Sequence, residues 1–146
     1  MYIKHLIVTL FLLALSFVTS AKVHEIKMLN KNSSGEKMVF EPSFLKIKVG
    51  DSVKFIPTKK GHMVRSITKK GAIPAGAKKF KSKMNKEITV KIEKEGVYLY
   101  KCTPHYAMGM VGLFIAGKPT NLSKVKTVKL RGKAKKRMDK LLAKVK

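Results

Sequence analysis

An all-β sandwich with helices at its C-terminal end is the fold the sequence predicts, and three observations carry that prediction. Apolar residues alternate with lysine in Leu45-Lys46-Ile47-Lys48-Val49, and Ile88, Val90 and Ile92 alternate with Thr89, Lys91 and Glu93. This is the pattern of strands with one face in a core and one in water. Turn-forming residues separate such segments at short intervals, where an α/β chain would place long helical patterns. Only near the C-terminus does the period change, with Ala134, Met138, Leu141, Leu142 and Val145 recurring at helical spacing.

In chain order, Val23 to Leu29 is the first strand and Asn30-Lys31-Asn32-Ser33-Ser34-Gly35 a polar loop. Apolar sequence resumes at Met38-Val39-Phe40. Leu45 to Val49 is the next strand, Gly50-Asp51 its turn, and Val53 to Ile56 the return. Pro57 to Gly61 breaks the pattern and Met63 to Ile67 restores it, which puts His62 where a loop meets the sheet, facing inward. Lys69 to Gly76 holds too much Gly, Pro and Lys for regular structure. Ile88 to Glu93 is the plainest strand. Glu95-Gly96 then turns the chain into Val97 to Lys101, which ends at Cys102, and Thr103 to Gly109 forms a loop. Val111 to Ala116, apolar on both faces, closes the sheet. Two helices follow, one over residues 121–126 started by Pro119-Thr120-Asn121 and one over 132–145. The apolar stripe of the second is expected to pack on the end of the sandwich, with Lys135, Lys136, Arg137, Lys140 and Lys144 in water.

Residues 1–21 read as a secretory signal: Lys4 in a short n-region, an apolar run from Leu6 to Val18, and the small exit Thr19-Ser20-Ala21. The run is shorter than the roughly 20 residues a membrane span needs, so stable membrane insertion is not expected. Cleavage after Ala21 leaves residues 22–146 as a single exported domain. Of the formal charge of +25, only that of Lys4 departs with the leader. A chain this cationic binds polyanions nonspecifically, but no recognisable nucleic-acid module is present.

Export bears on the single cysteine. Cys102 cannot close an internal disulfide, which leaves an inert core thiol, an intermolecular partner, a reactive group or a metal ligand. His105 and Met110 follow closely, and His62 stands upstream. A thiolate, two imidazoles and a thioether favour copper, and a trigonal Cys/His/His set with a weak axial Met is the geometry of blue-copper electron-transfer centres. Met108 competes with Met110 for the axial position. Met108 sits at the loop tip, however, whereas Met110 leads into the buried strand. Zinc fits less well, because structural zinc sites use Cys and His. A Cys102/His105 nucleophilic pair lacks an orienting carboxylate, and such pairs normally stand far apart in sequence. The chain is therefore read as a carrier and not as an enzyme. His24 is read as a structural or edge residue.

The run Lys101-Cys102-Thr103-Pro104-His105-Tyr106-Ala107-Met108-Gly109-Met110-Val111-Gly112 resembles the copper loop of the pseudoazurins, a branch of the cupredoxins. Met28-Leu29-Asn30-Lys31, Val39-Phe40-Glu41-Pro42, Phe55-Ile56-Pro57-Thr58, Lys60-Gly61-His62, Gly96-Val97-Tyr98 and the helical tail match the same pattern in order. The resemblance implies an eight-stranded Greek-key β-sandwich with two C-terminal α-helices. It also implies one type 1 copper on His62, Cys102, His105 and Met110. Its functional implication is a periplasmic shuttle serving copper nitrite reductase, other denitrification enzymes or c-type cytochromes. One departure is visible: Met63 stands where the family usually has Asn, so the amide that ties the two ligand loops is missing, while the Met63 N–H can still reach the Cys102 sulfur.

Electrons are expected to pass at the solvent edge of His105, inside an apolar patch of Pro104, Ala107 and Met108 extended by Ile73 and Pro74. Lys31, Lys59, Lys60, Lys78, Lys79 and Lys101 are the candidates for steering a monomeric carrier onto acidic redox proteins. A copper carrier or buffer, or a cationic polyanion-binding protein, is the rival reading.

Overall fold

The computed structural model describes residues 19–146, so all but the last three residues of the expected leader lie outside the described range. Eight strands form in order: β1 (Val23–Lys31), β2 (Lys37–Glu41), β3 (Phe44–Ile47), β4 (Ser52–Pro57), β5 (Arg65–Ser66), β6 (Ile88–Lys91), β7 (Gly96–Lys101) and β8 (Val111–Ala116). A 3-10 helix over Thr103–Met108 lies between β7 and β8, and α1 (Leu122–Lys126) and α2 (Gly132–Leu142) complete the chain. One sheet has the order β2-β1-β4-β6 and the other β3-β8-β7-β5. Both are mixed, because β1 pairs with β4 and β3 with β8 in parallel while the remaining pairs are antiparallel.

Alternation along β7 and β8 builds two cores. Tyr98, Tyr100, Phe114 and Ala116 point between the sheets, where they meet Ile26, Met28, Phe40, Val53 and Phe55. Val97, Leu99, Val111, Leu113 and Ile115 point the other way, onto Val125, Leu130, Ala134, Met138 and Leu141 of the C-terminal segment. The two-sided apolarity of Val111–Ala116 is thus explained, since every residue of β8 is buried. The stripe on α2 packs across the outer face of this sheet and not on the end of the sandwich. Each large aliphatic side chain so covered contributes about 1.5–3 kcal/mol.

Several boundaries differ from the sequence reading. β1 continues through Asn30 to Lys31, because Lys31 pairs with Lys37 of β2. β3 stops at Ile47, where the chain turns so that Lys48 can give its N–H to Asp51. The strand expected over Met63–Ile67 shrinks to Arg65–Ser66, because Val64 bonds to Ser82 through both its N–H (to Oγ, 3.0 Å) and its C=O (from N, 2.8 Å). Residues 103–108, expected as a loop, wind into a 3-10 helix with Pro104 in its first turn.

Tyr100 faces Gly112 across the β7–β8 ladder, and its buried hydroxyl has no hydrogen-bond partner among the described residues. Its ring lies 4.8 Å from that of Phe40 and 5.0 Å from that of Phe55. A Cβ at Gly112 would overlap the hydroxyl and come within 2.7 Å of the ring, so the small residue is what admits the large one. Gly112→Ala is expected to cost about 1–3 kcal/mol through overpacking. Tyr100→Phe is expected to gain about 1 kcal/mol by deleting an unpaired polar group. Denaturant titration of both variants checks this pair of opposite signs.

Asp51, buried beside the start of β1, accepts the Lys22 N–H at 2.9 Å, His24 Nε2 at 2.8 Å and the Lys48 N–H at 3.1 Å. The Lys22 N–H, then His24 and the Lys48 N–H, hold its carboxyl down from 3.8 to about 2. A carboxyl lowered by folding stabilises the native state above its unfolded value and loses that contribution as pH falls through the folded one. Melting temperature should therefore fall between about pH 4 and pH 2, and Asp51→Asn should flatten that part of the profile.

Candidate metal centre

Two chain segments meet at one end of the sandwich. Cys102 follows the last residue of β7 and is wholly buried. His105 sits in the 3-10 helix, and Met110, also wholly buried, immediately precedes β8. The loop closes on itself through backbone bonds, Cys102 N–H to the Met110 carbonyl at 3.0 Å and Met110 N–H to the His105 carbonyl at 3.2 Å. Gly109 makes the closure possible with φ at 89°, a conformation that side chains disfavour. His62 comes from the loop between β4 and β5. The donor atoms of His62, Cys102 and His105 lie within 4.8 Å of one another.

The ring orientations are specific. Cys102 Sγ is 3.7 Å from His62 Nδ1 and 3.5 Å from His105 Nδ1, and the two imidazoles are edge to face with centroids 5.0 Å apart. His62 turns its other nitrogen, Nε2, to Asn30 Oδ1 at 2.7 Å. The Nε2–H donates there, which leaves the Nδ1 lone pair facing the thiol. Burial lowers the His62 pKa and the neighbouring His105 lowers it further, so the ring stays in its neutral, ligating form. Burial raises the Cys102 thiol pKa, opposed by the N–H groups of Met63 and His105. Those N–H groups favour the thiolate, and a bound cation would complete the deprotonation. Two nitrogens and a sulfur converging in a dry site beside a buried methionine fit copper.

The second ligand segment is held by a strap over residues 80–85. Asn85 gives its N–H to the His62 carbonyl at 2.8 Å and accepts the Gly61 N–H on Oδ1 at 2.6 Å. Met63 itself is buried, and its N–H faces the Cys102 sulfur as expected from the sequence. Gly61 brings the loop against His105, whose Cε1 would lie 3.7 Å from a Cβ there.

Three residues acting on the centre, Asn85 of the strap, Asn30 and Arg137, were not singled out from the sequence. Asn30 stood as a turn former in a polar loop, although a strand-end amide beside an inward histidine is a legible acceptor. Arg137 was placed on the solvated face of α2. It reaches instead over the metal loop, with Nη1 donating to the Gly109 carbonyl at 3.0 Å and the Met38 carbonyl at 2.6 Å, and Nη2 to the Lys37 carbonyl at 2.7 Å. Glu36 pairs with its Nε at 3.2 Å. Nothing in the helical period marks Arg137 apart from the lysines around it.

His105 is half-buried at the rim, flanked by exposed Pro104, Ala107 and Met108, the last 41% exposed. Lys31, Lys59, Lys60, Lys78 and Lys79 are exposed, while Lys101 is half-buried with its ammonium 4.8 Å from the Tyr106 ring centroid. Burial, then Arg65 and Lys69, lower the Lys101 pKa. Ile73 and Pro74 do not extend the patch. Pro74 packs at the start of β7, against Gly96, at the opposite end of that strand from Cys102, and Ile73 packs on the inter-sheet core.

The comparisons with known proteins agree with this centre. The family model for copper binding proteins of the plastocyanin/azurin family matches residues 26–116. The chain is 48% identical over 135 residues to pseudoazurin of Paracoccus pantotrophus, covering 92% of this chain and 91% of the relative. It is 47% identical over 121 residues to pseudoazurin of Methylorubrum extorquens, covering 82% and 80% of the two. The crystal structure of native pseudoazurin from Hyphomicrobium denitrificans superposes with a TM-score of 0.80 at 46% identity, covering 85% of this chain and 98% of that one. The chain belongs to the pseudoazurins, copper-binding electron-transfer proteins of the plastocyanin/azurin family.

Proposed function

We propose that the protein, cleaved after Ala21 and exported to the periplasm, works as a monomeric one-electron shuttle for acidic redox proteins, copper nitrite reductase or c-type cytochromes. The observation that carries this reading is the asymmetry of the donor set: Cys102 and His62 are buried and His105 alone reaches the rim. When bound, copper supplies a Cu(II)/Cu(I) couple on His62, Cys102, His105 and Met110. The protein residues keep that set in one arrangement through both states. Asn30 fixes the ring of His62, the strap at Asn85 fixes its backbone, and Arg137 fixes the loop at Gly109.

His105 then joins the centre to the surface, and its apolar surround lets a partner approach without a large buried interface. The lysines outside that patch, Lys31, Lys59, Lys60, Lys78 and Lys79 with Lys101 nearer the loop, attract an acidic surface at long range. No helix among the described residues is long and apolar enough to cross a membrane.

Copper(II) added to the purified protein should produce an intense thiolate charge-transfer band that Cys102→Ser abolishes. A colourless protein or an ordinary tetragonal spectrum in the unmutated chain would overturn the assignment. Met108→Lys should leave that band in place while lowering the rate of electron transfer to a partner about tenfold, equivalent to about 1.4 kcal/mol. The unmutated rate should fall as salt is added, and a rate constant indifferent to ionic strength would remove the steering role of the lysines.

A further inference from the structure

A second set of nitrogen donors lies at the end of the molecule away from the copper centre. β1 runs from Val23 to Lys31 with Asn30 against His62. At about 3.3 Å per residue, its first residues lie roughly 20 Å from that centre. There His24 turns Nε2 to Asp51 Oδ2 at 2.8 Å, and its Nδ1 has no protein hydrogen bond among the described residues. The other carboxylate oxygen, Oδ1, holds the Lys22 nitrogen at 2.9 Å. Asp51 thus grips residue 22 and residue 24 at once, and is itself fixed by the Lys48 N–H.

Cleavage after Ala21, on which this step rests, makes the Lys22 nitrogen a free α-amine and His24 the third residue. An α-amine, the next two amide nitrogens and the Nδ1 of a third-position histidine close two five-membered chelate rings and one six-membered ring around a single ion. Four nitrogens in one plane select Cu(II) or Ni(II). We infer that the exported protein carries a second metal site, Lys22-Val23-His24, for square-planar Cu(II) or Ni(II), with Asp51 as the anchor behind its two terminal ligands.

Loading this site sends three protons to water, one from the α-ammonium and one from each of the Val23 and His24 amides, with no electron transferred. The two ionised amides balance the two charges of the ion. Neighbouring Lys46 and Lys48 therefore do not repel the complex, although both line the same cleft. The structural cost is local. The pairings of Val23 with Ser52 and of His24 with Val53 yield as the backbone turns around the ion, while those from Glu25 to Met28 remain. Val23 is 61% exposed, so little apolar surface is uncovered.

The test uses protein exported through its own leader, its N-terminus read by intact mass and its Cys102 centre already loaded with copper. Titration with Ni(II) should show one equivalent taken up as a diamagnetic, weakly coloured square-planar complex, the thiolate band unchanged. His24→Ala, and a chain carrying one extra N-terminal glycine, should take up none. Nickel uptake that survives in both variants, no uptake in the unmutated protein, or an exported chain that starts at any residue other than Lys22, overturns the site. A missing thiolate band with nickel uptake intact would instead count against the copper centre alone.

Discussion

The hydrogen bond from His62 Nε2 to Asn30 Oδ1 ties β1 to the β4–β5 loop, which crosses from one sheet to the other, at the point where the metal donors meet. Asn30 belongs to β1 in one sheet, whereas Cys102, His105 and Met110 hang from β7 and β8 in the other. A histidine free to rotate could present either nitrogen, or neither, to the thiol. With Nε2 committed to Asn30, only Nδ1 remains, and it points at Cys102 Sγ. The distance between the sheets thereby becomes part of the coordination geometry. It is kept by the aromatic packing of Phe40, Phe55, Tyr100 and Phe114, rigid groups that compress little.

The same logic accounts for the C-terminal helices. β7 and β8 carry apolar residues on both faces, so a bare two-sheet sandwich would leave Val97, Leu99, Val111, Leu113 and Ile115 in water. α1 and α2 cover that face, and α2 then spans to the metal loop, where Arg137 gathers the carbonyls of Gly109, Met38 and Lys37. A guanidinium suits this task because it offers several donors in a fixed plane, so that Nη1 and Nη2 reach the three carbonyls while Nε pairs with Glu36. Packing against α2 also explains why residue 109 is glycine: a Cβ there would come within 3.1 Å of both Arg137 and Lys133. The helix that completes the core therefore also confines the loop that bears Met110.

Sequence periodicity revealed the strands that have one wet face and the helix with a continuous stripe, because burial there repeats every second or every third to fourth residue. It also revealed the donor set, since thiolate, imidazole and thioether side chains are rare enough to stand out. It failed where local bonding replaced periodic burial. The stretch around Met63 and Val64 looks like a strand but is bonded to the strap at Ser82 and Asn85, a contact between residues about 20 positions apart that no local pattern encodes. Residues 103–108 are too short for a helical period to appear. Asn30 and Arg137 are polar residues whose neighbours are equally polar, so their roles exist only in three dimensions. Pro74 was assigned to the docking patch by composition alone, and the path of the chain carries it to the far end of β7.

Met63 shows how one local departure from the family pattern is absorbed. The amide expected at this position would have tied the two ligand loops by a side-chain bond, and methionine cannot form it. Its side chain is buried instead, which excludes water from the same region. The Met63 N–H faces the Cys102 sulfur, a contact that does not depend on the side chain. Asn85 holds both His62 and Gly61 through its N–H and side-chain oxygen, and through Gly61 the loop rests against His105. Two hydrogen bonds from a strap outside the ligand loops thus brace the His62 loop without a direct amide bridge. The remaining difference is polarity around the sulfur, and that is the quantity through which a protein tunes the potential of such a centre.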